Sequence, residues 1–182
     1  INMFYTRKGD KGDTAAFGCK QRFSKNSALT EALGSLDEIN SLLGICKTKA
    51  ADFEFKINSQ KIDKIIEQIQ QNLFIIQAAV AGSDKKISQE KIDDLEKIID
   101  DIEKELPPIK SFFLPSGTEL SAYLDYARAI ARRTERRVVA LSQETRTDGE
   151  ILVYLNRLSS LLYALARFVN LKSGKKEISP KY

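Results

Sequence analysis

TDGEILVYLNRLSSLLYALARFVNLK, residues 147–172, commits this chain to helices. It opens on Thr147-Asp148-Gly149-Glu150, a capping box in which the residue-147 hydroxyl and the residue-150 carboxylate can satisfy exposed amides. It runs to about Lys172 and ends near Gly174, a length of ~39 Å at 1.5 Å per residue. Around Leu152-Val153-Tyr154-Leu155-Asn156-Arg157-Leu158 it is apolar on most sides, and Asn156 and Arg157 interrupt that run. Buried polar groups need partners, so a hydrogen bond to a neighbouring helix is one reading of these two residues and a site is the other.

Working outward, the preceding segment is predicted helical from about Thr118 to Gln143. It carries Arg128, Arg132, Arg133, Arg136 and Arg137. Arg128, Arg132 and Arg136 fall at i, i+4 and i+8, and Arg133 and Arg137 repeat that step, so the arginines share a broad face. Like charges at this spacing repel, and an anion is expected to offset them. Triphosphate, nucleic acid and acidic side chains are the candidates. Arginine rather than lysine favours planar, bidentate recognition. Asp37 and Glu38 on an earlier helix could also answer these charges.

Three further helices precede it. The first spans about Ser27 to Lys47, with Leu29, Leu33, Leu36, Ile39 and Leu43 as its apolar stripe. The second runs from about Asn58, a candidate N-cap, to Ala81, with Gly82 as its stop. The third spans about Ser88 to Leu106 and ends at Pro107-Pro108. No alternating strand pattern competes, and there is no internal repeat or domain linker. The expected architecture is an all-α bundle of five helices in one domain, residues 1–182, with the bundle over 27–172.

Residues 1–26 are glycine-rich, charged and without apolar periodicity, which reads as a long loop of the kind that is functional or disordered. Its core, Thr6-Arg7-Lys8-Gly9-Asp10-Lys11-Gly12-Asp13-Thr14, offers close backbone approach to an anion, although it is not a Walker A sequence. The Phe112-Phe113-Leu114-Pro115-Ser116-Gly117 loop puts two aromatics at a bundle end, either as a plug or facing a ligand.

Composition narrows the chemistry. The chain has 182 residues, 42% hydrophobic and 30% charged, with a net charge of +4. No apolar run approaches the ~20 residues needed to cross a membrane, and no signal segment opens the chain. Cys19 and Cys46 form neither a CxxC pair nor a disulfide framework, which fits reduced thiols in a cytoplasmic protein. Histidine is absent, which excludes imidazole bases, histidine metal ligands and Glu-x-x-His di-iron sites. A helical nucleic-acid or scaffold binder is the non-enzyme alternative. Poor aromatic interleaving in the basic stretch argues against single-strand binding.

Five segments occur together in an order that resembles the PduO-type ATP:cob(I)alamin adenosyltransferases. They are YTRKGDKGDTAAFG (5–18), SK (24–25), EALGSLDEINSLLG (31–44), FFLPSGTELSAYLDYARAIARRTERRVVAL (112–141) and YLNRLSSLLYALARFVN (154–170). The resemblance implies a ferritin-like five-helix bundle assembling as a homotrimer with active sites between subunits. It implies transfer of the adenosyl group of ATP to the cobalt of a reduced corrinoid, with triphosphate leaving, Mg²⁺ accompanying the nucleotide and adenosylcobalamin as product. A corrinoid reductase or a B12-dependent enzyme would be a partner; nucleic acid and membrane would not.

Residue by residue, the match carries ATP contacts onto Thr6, Arg7, Lys8, Gly9, Thr14, Ala15 and Lys25. From the opposite side it carries them onto Arg132, Arg133, Glu135, Arg136 and Asn156. Asp37 and Arg128 match a pair linking adjacent subunits, and Phe112 matches the aromatic beneath the corrin ring. No residue is matched as a metal ligand. A degenerate bundle kept for assembly or corrinoid delivery is a third reading, and retention of Lys8, Gly9, Arg132, Glu135 and Asn156 together argues against it. Asp13 stands where the family more often has a neutral residue and is expected to add negative charge near the phosphates. Ala15-Ala16 leave phosphate contact there to backbone amides. The segment Phe74-Ile75-Ile76-Gln77-Ala78 lacks the family's acidic-glycine pattern.

Overall fold

The computed structural model describes residues 4–16 and 21–181; Cys19 lies outside them. Five long helices follow one another: α1 Ala28–Ala50, α2 Ile62–Val80, α3 Gln89–Glu103, α4 Glu119–Ser142 and α5 Gly149–Lys172. α1 packs against α2 and α4, and α5 packs against α4 and α3. The five-helix reading stands, with ends displaced by a few residues.

α5 is the central helix because it is apolar nearly all round. Tyr154, Leu155, Leu158, Leu161, Leu162, Leu165, Phe168 and Val169 are fully buried. A helix without a polar face must be covered on every side, which here takes α3 and α4 together. Each such side chain contributes roughly 1.5–3 kcal/mol relative to exposure. Asn72 Nδ2 of α2 donates to the buried Tyr154 hydroxyl at 3.1 Å, so the one polar end of that ring is satisfied. Burial leaves the phenol far above its ordinary range despite this bond.

Capping explains where the helices start. Ser27 and Thr30 form a reciprocal box at α1, and Thr118 and Ser121 do the same at α4. The box expected at Thr147 is not formed. Asp148 is the N-cap of α5, without a side-chain cap bond, and the Thr147 hydroxyl donates to the Thr145 carbonyl at 3.3 Å instead. A start one residue later puts Ile151 rather than Glu150 at the third helical position. Gly82 does end α2: at φ +97 its amide donates to Ala79 O at 3.0 Å, and Ser83 N donates to Ala78 O at 3.0 Å. This 6→1 and 5→2 pair is the Schellman arrangement that favours glycine.

Two short antiparallel ribbons depart from the strand-free expectation. β1 Asp13–Ala15 pairs with β2 Arg22–Ser24, and β3 Lys56–Ile57 pairs with β4 Gln60–Lys61. The second pair displaces the start of α2 from Asn58 to Ile62. Asn58 and Ser59, at φ 47 and 70, make its two-residue turn, a conformation in which both central residues need positive φ. Asn58 is therefore no N-cap, and its amide bonds Asp101 on α3.

Among the described residues no helix is long and apolar enough to cross a membrane. Cys46 is fully buried on α1, and burial pushes its thiol up to about 12, so it is inert.

Candidate active site

The arginine face of α4 divides into two sets. Arg133 bonds Glu38 and Arg137 approaches Glu31 at 3.5 Å, both acids being on α1. Arg128 Nε donates to Asp125 Oδ1 at 3.1 Å, and its guanidinium lies 5.8 Å from the centre of the Tyr163 ring. Burial holds the Asp125 carboxyl above its ordinary value, against the opposing pull of Arg128. Arg132 and Arg136 are exposed and make no ion pair among the described residues. Acidic side chains thus answer part of the cluster, and these two remain available to an external anion. Arg133, matched as an ATP contact, pairs with Glu38 of α1 while its side chain stays partly exposed. Asp37 is exposed and makes no ion pair among the described residues, while Arg128 takes its acid from its own helix.

Asn156 and Arg157 are not the buried groups that their apolar context implied. Asn156 is exposed and Arg157 is half-buried. They sit in a polar chain across three helices. Arg157 Nε donates to Glu96 Oε1 at 2.6 Å, Arg157 Nη1 to Asn156 Oδ1 at 2.9 Å, and Asn156 Nδ2 to Glu135 Oε1 at 3.1 Å. The chain fixes the carboxylate of Glu135 between Arg132 and Arg136 in sequence and turns the Asn156 amide toward α4.

The N-terminal segment is folded on itself rather than an open loop. Thr6, Arg7 and Lys8 are exposed, with Arg7 at φ 60. Thr14 and Ala15 lie in β1. Lys25 N donates to Gly12 O at 2.9 Å, and Lys25 Nζ donates to Gly9 O at 2.9 Å. A Cβ at residue 9 would lie 3.2 Å from that ammonium and 3.3 Å from Asp13 O, so glycine permits the approach. The ammonium keeps two further protons for an anion. No hydrogen bond or ion pair among the described residues joins this segment to Arg132, Glu135, Arg136 or Asn156 within the chain.

Below the arginines, at the α4–α5 face, lies a cleft of about 650 Å³ lined by Lys110, Phe112, Phe113, Arg128, Arg132 and Tyr163, among others. Phe112 is 81% exposed into it. Phe113 is half-buried, with the Arg167 guanidinium 5.1 Å from its ring centre. The two aromatics therefore split the alternatives left open for this loop: Phe113 packs inward and Phe112 projects.

The loop is anchored by residues that sequence reasoning missed. Asn170 Nδ2 donates to Ser116 O at 2.9 Å, and Thr118 N donates to Asn170 Oδ1 at 3.2 Å. Gly117, at φ +112, sits so close to Asn170 that a Cβ would fall 2.0 Å from its Oδ1. The tail after α5 adds Leu114 N to Ile178 O at 2.8 Å and a Ser111–Ser179 hydroxyl bond at 2.8 Å. Arg167, a charge inside the apolar Leu165–Val169 run, was the signal that could have pointed to this anchoring.

The exposed ring, the free arginines and the helical order meet a known pattern. Residues 4–169 match the Cobalamin adenosyltransferase family model. This chain belongs to that family. It is 41% identical over 170 residues to the corrinoid adenosyltransferase PduO of Citrobacter freundii, an alignment covering 90% of this chain and 48% of that protein. The chain thus spans about half the length of that relative. It is 37% identical over 174 residues to the corrinoid adenosyltransferase of Bacillus subtilis (strain 168), covering 93% of this chain and 88% of that one. Among solved structures, a variant of the PduO-type ATP:corrinoid adenosyltransferase from Lactobacillus reuteri, complexed with cobalamin and ATP, superposes with a TM-score of 0.87. It shares 34% identity, with 98% of this chain and 99% of that chain covered. A second variant of that enzyme, complexed with ATP, gives a TM-score of 0.85 at 32% identity, covering 97% and 99%. In this chain the free arginines and the cleft are adjacent, sharing Arg132.

Proposed function

We propose that this chain transfers the 5′-deoxyadenosyl group of ATP to the Co(I) of a reduced corrinoid, giving adenosylcobalamin and triphosphate. The observation that carries the reading is the position of Arg132. It lines the Phe112 cleft and is one of the two α4 arginines without an ion pair among the described residues. A group there can reach the leaving phosphates of a nucleotide whose C5′ faces a corrin in the cleft.

The chemistry suits the residues. Co(I) supplies the electron pair for the new cobalt–carbon bond. The C5′–O bond breaks, and its electrons leave on triphosphate. No proton moves, so the lack of histidine costs nothing. Negative charge grows on the leaving oxygen, and preplaced guanidinium groups at Arg132 and Arg136 stabilise it. Thr6, Arg7, Lys8, Gly9, Thr14, Ala15 and Lys25 would hold the nucleotide from the other side, and the arrangement keeps C5′ in line with cobalt. Phe112 would cover the lower face of the corrin and exclude an axial ligand.

Mg²⁺ would accompany the nucleotide. It favours one or two carboxylates plus substrate phosphates, and Glu135, aligned by Asn156 beside the free arginines, fits that donor set. The ion would neutralise part of the phosphate charge.

The homotrimer with intersubunit sites belongs to the same reading. No hydrogen bond or ion pair among the described residues joins residues 6–15 to Arg132, Glu135, Arg136 or Asn156, and Asp37 is exposed without an ion pair among the described residues. Asp37 of one subunit would then reach Arg128 of another. Light scattering should give three chains, and the Asp37→Ala/Arg128→Ala cycle should be less than additive; a monomer, or additive losses, contradicts the assembly. A cytoplasmic location and exchange of corrinoid with a reductase or a B12-dependent enzyme complete the proposal. The direct test is anaerobic: reduced cobalamin and the chain, with and without ATP. An adenosylcobalamin spectrum that appears only with ATP supports the reading, and its absence overturns it.

A further inference from the structure

Asp13 presents a difficulty for a segment that is to receive a polyphosphate, because a carboxylate there repels the ligand. The structure puts a counter-charge on it. Arg22 Nε donates to Asp13 Oδ2 at 2.7 Å, and Nη2 donates to Oδ1 at 2.6 Å, a fork-to-fork pair. The register explains the contact. Asp13 pairs with Ser24 and Ala15 with Arg22, so residues 13 and 22 are diagonal neighbours on one face of the ribbon, within reach of a long side chain. The guanidinium holds the Asp13 carboxyl below its ordinary range, and the Arg22 charge is strengthened in return.

The same guanidinium does more than neutralise. Nη2 also donates to Lys8 O at 2.5 Å and Asp13 O at 3.2 Å. One side chain thus ties the backbone just before Gly9 to the backbone just after Gly12. Lys25 closes the same loop from the other side through Gly9 O and Gly12 O. With its carbonyls at 8, 9, 12 and 13 occupied, the loop presents fewer backbone acceptors to an incoming anion. Both members of the Arg22–Asp13 pair are more than a third exposed, so solvent screening leaves the pair little weight in global stability. Its effect is local.

We propose that Arg22 is a positioning residue of the nucleotide loop: it holds the Lys8–Asp13 segment in shape and cancels the Asp13 charge so that the loop can accept a polyphosphate. The inference rests on the ATP-binding reading of this loop. Lysine can replace the arginine only in part, because a single ammonium keeps the charge but cannot fork a carboxylate and reach Lys8 O in one plane.

The test is ATP binding by calorimetry and steady-state kinetics on Arg22→Gln, Arg22→Lys and Asp13→Asn/Arg22→Gln. Arg22→Gln should raise the Kd and KM for ATP roughly tenfold or more, the factor that one lost charge-assisted hydrogen bond is worth. The corrinoid KM and the thermal midpoint should not move. Arg22→Lys should recover only part of the loss. The double variant should bind ATP more tightly than Arg22→Gln, since the uncompensated carboxylate has gone with its partner. Unchanged ATP affinity in Arg22→Gln, or a double variant no tighter than the single, overturns this inference alone. Absence of ATP binding to the unaltered chain overturns it together with the functional reading.

Discussion

Arg167 and Glu177 hold each other in a bidentate pair, Nε to Oε1 at 2.7 Å and Nη2 to Oε2 at 2.9 Å, while Nη2 also reaches Pro107 O at 3.1 Å. The arginine residue is only 6% exposed. One buried cation therefore joins the central helix, the tail after it and the loop that carries Phe112. Removing a single partner from a buried pair leaves an uncompensated charge and costs about 3–5 kcal/mol, less where the site is partly wet. Glu177→Gln should lower the thermal midpoint by several degrees and reduce the affinity for corrinoid more than for ATP. A variant with wild-type stability and corrinoid KM would show that the tail does not hold the loop.

Arg132→Lys keeps the charge and loses the planar fork. Its partner-free position predicts a fall in kcat/KM for ATP on the order of 10²-fold, the scale of one lost electrostatic donor in a transition state. Folding and assembly should be intact, because no ion pair within the described residues depends on this side chain. Near-normal kinetics would remove Arg132 from the mechanism.

Phe112 and Phe113 make separable predictions because one projects and the other packs. Phe112→Ala should leave ATP binding largely unchanged but sharply lower turnover when Co(II) must be reduced on the enzyme. Excluding the axial ligand lowers the orbital that accepts the next electron. The four-coordinate Co(II) signal, followed by magnetic resonance with ATP present, should diminish. Phe113→Ala should mainly destabilise the loop under Arg167. If the signal persists in Phe112→Ala and vanishes in Phe113→Ala, the roles are reversed.

Asp125 gives a pH dependence of defined sign. Burial raises its carboxyl above the ordinary 3.8, and Arg128 only partly opposes this. A raised acid favours its protonated form in the folded state. Its contribution to stability is fully present below 3.8 and is lost as pH rises through the folded value. Asp125→Asn should therefore flatten the stability–pH curve over that window, as followed by denaturant midpoints. A curve unchanged by the substitution would mean that the carboxyl does not titrate abnormally.

What was legible in the sequence followed the range of each signal. The leucine and isoleucine stripe marked the first helix, the i, i+4 arginines the fourth and the long apolar run the fifth, and Gly82 marked a stop, because these depend on neighbours a turn away. The ribbons at 13–24 and 56–61 left no trace, since strands of two or three residues are too short to alternate. Thr147 looked like a cap because Glu150 stands at the right spacing, and the actual start one residue later depends on tertiary packing. The arginine face was legible as a face. Which arginines remain free was not, because Glu31 and Glu38 answer Arg137 and Arg133 from another helix. Arg167 was visible as a charge in an apolar run, but its partner Glu177 lies beyond the last periodic residue.

The proposed reaction is a displacement at C5′ of ATP that expels intact triphosphate. Phosphorus NMR of an anaerobic reaction containing Mg-ATP, Co(I) cobalamin and the unaltered chain tests it most directly, with the cobalamin spectrum followed in parallel. Inorganic triphosphate should appear in step with adenosylcobalamin, one for one. Adenosylcobalamin without triphosphate, or ATP consumed to ADP and phosphate with cobalamin unchanged, would contradict it.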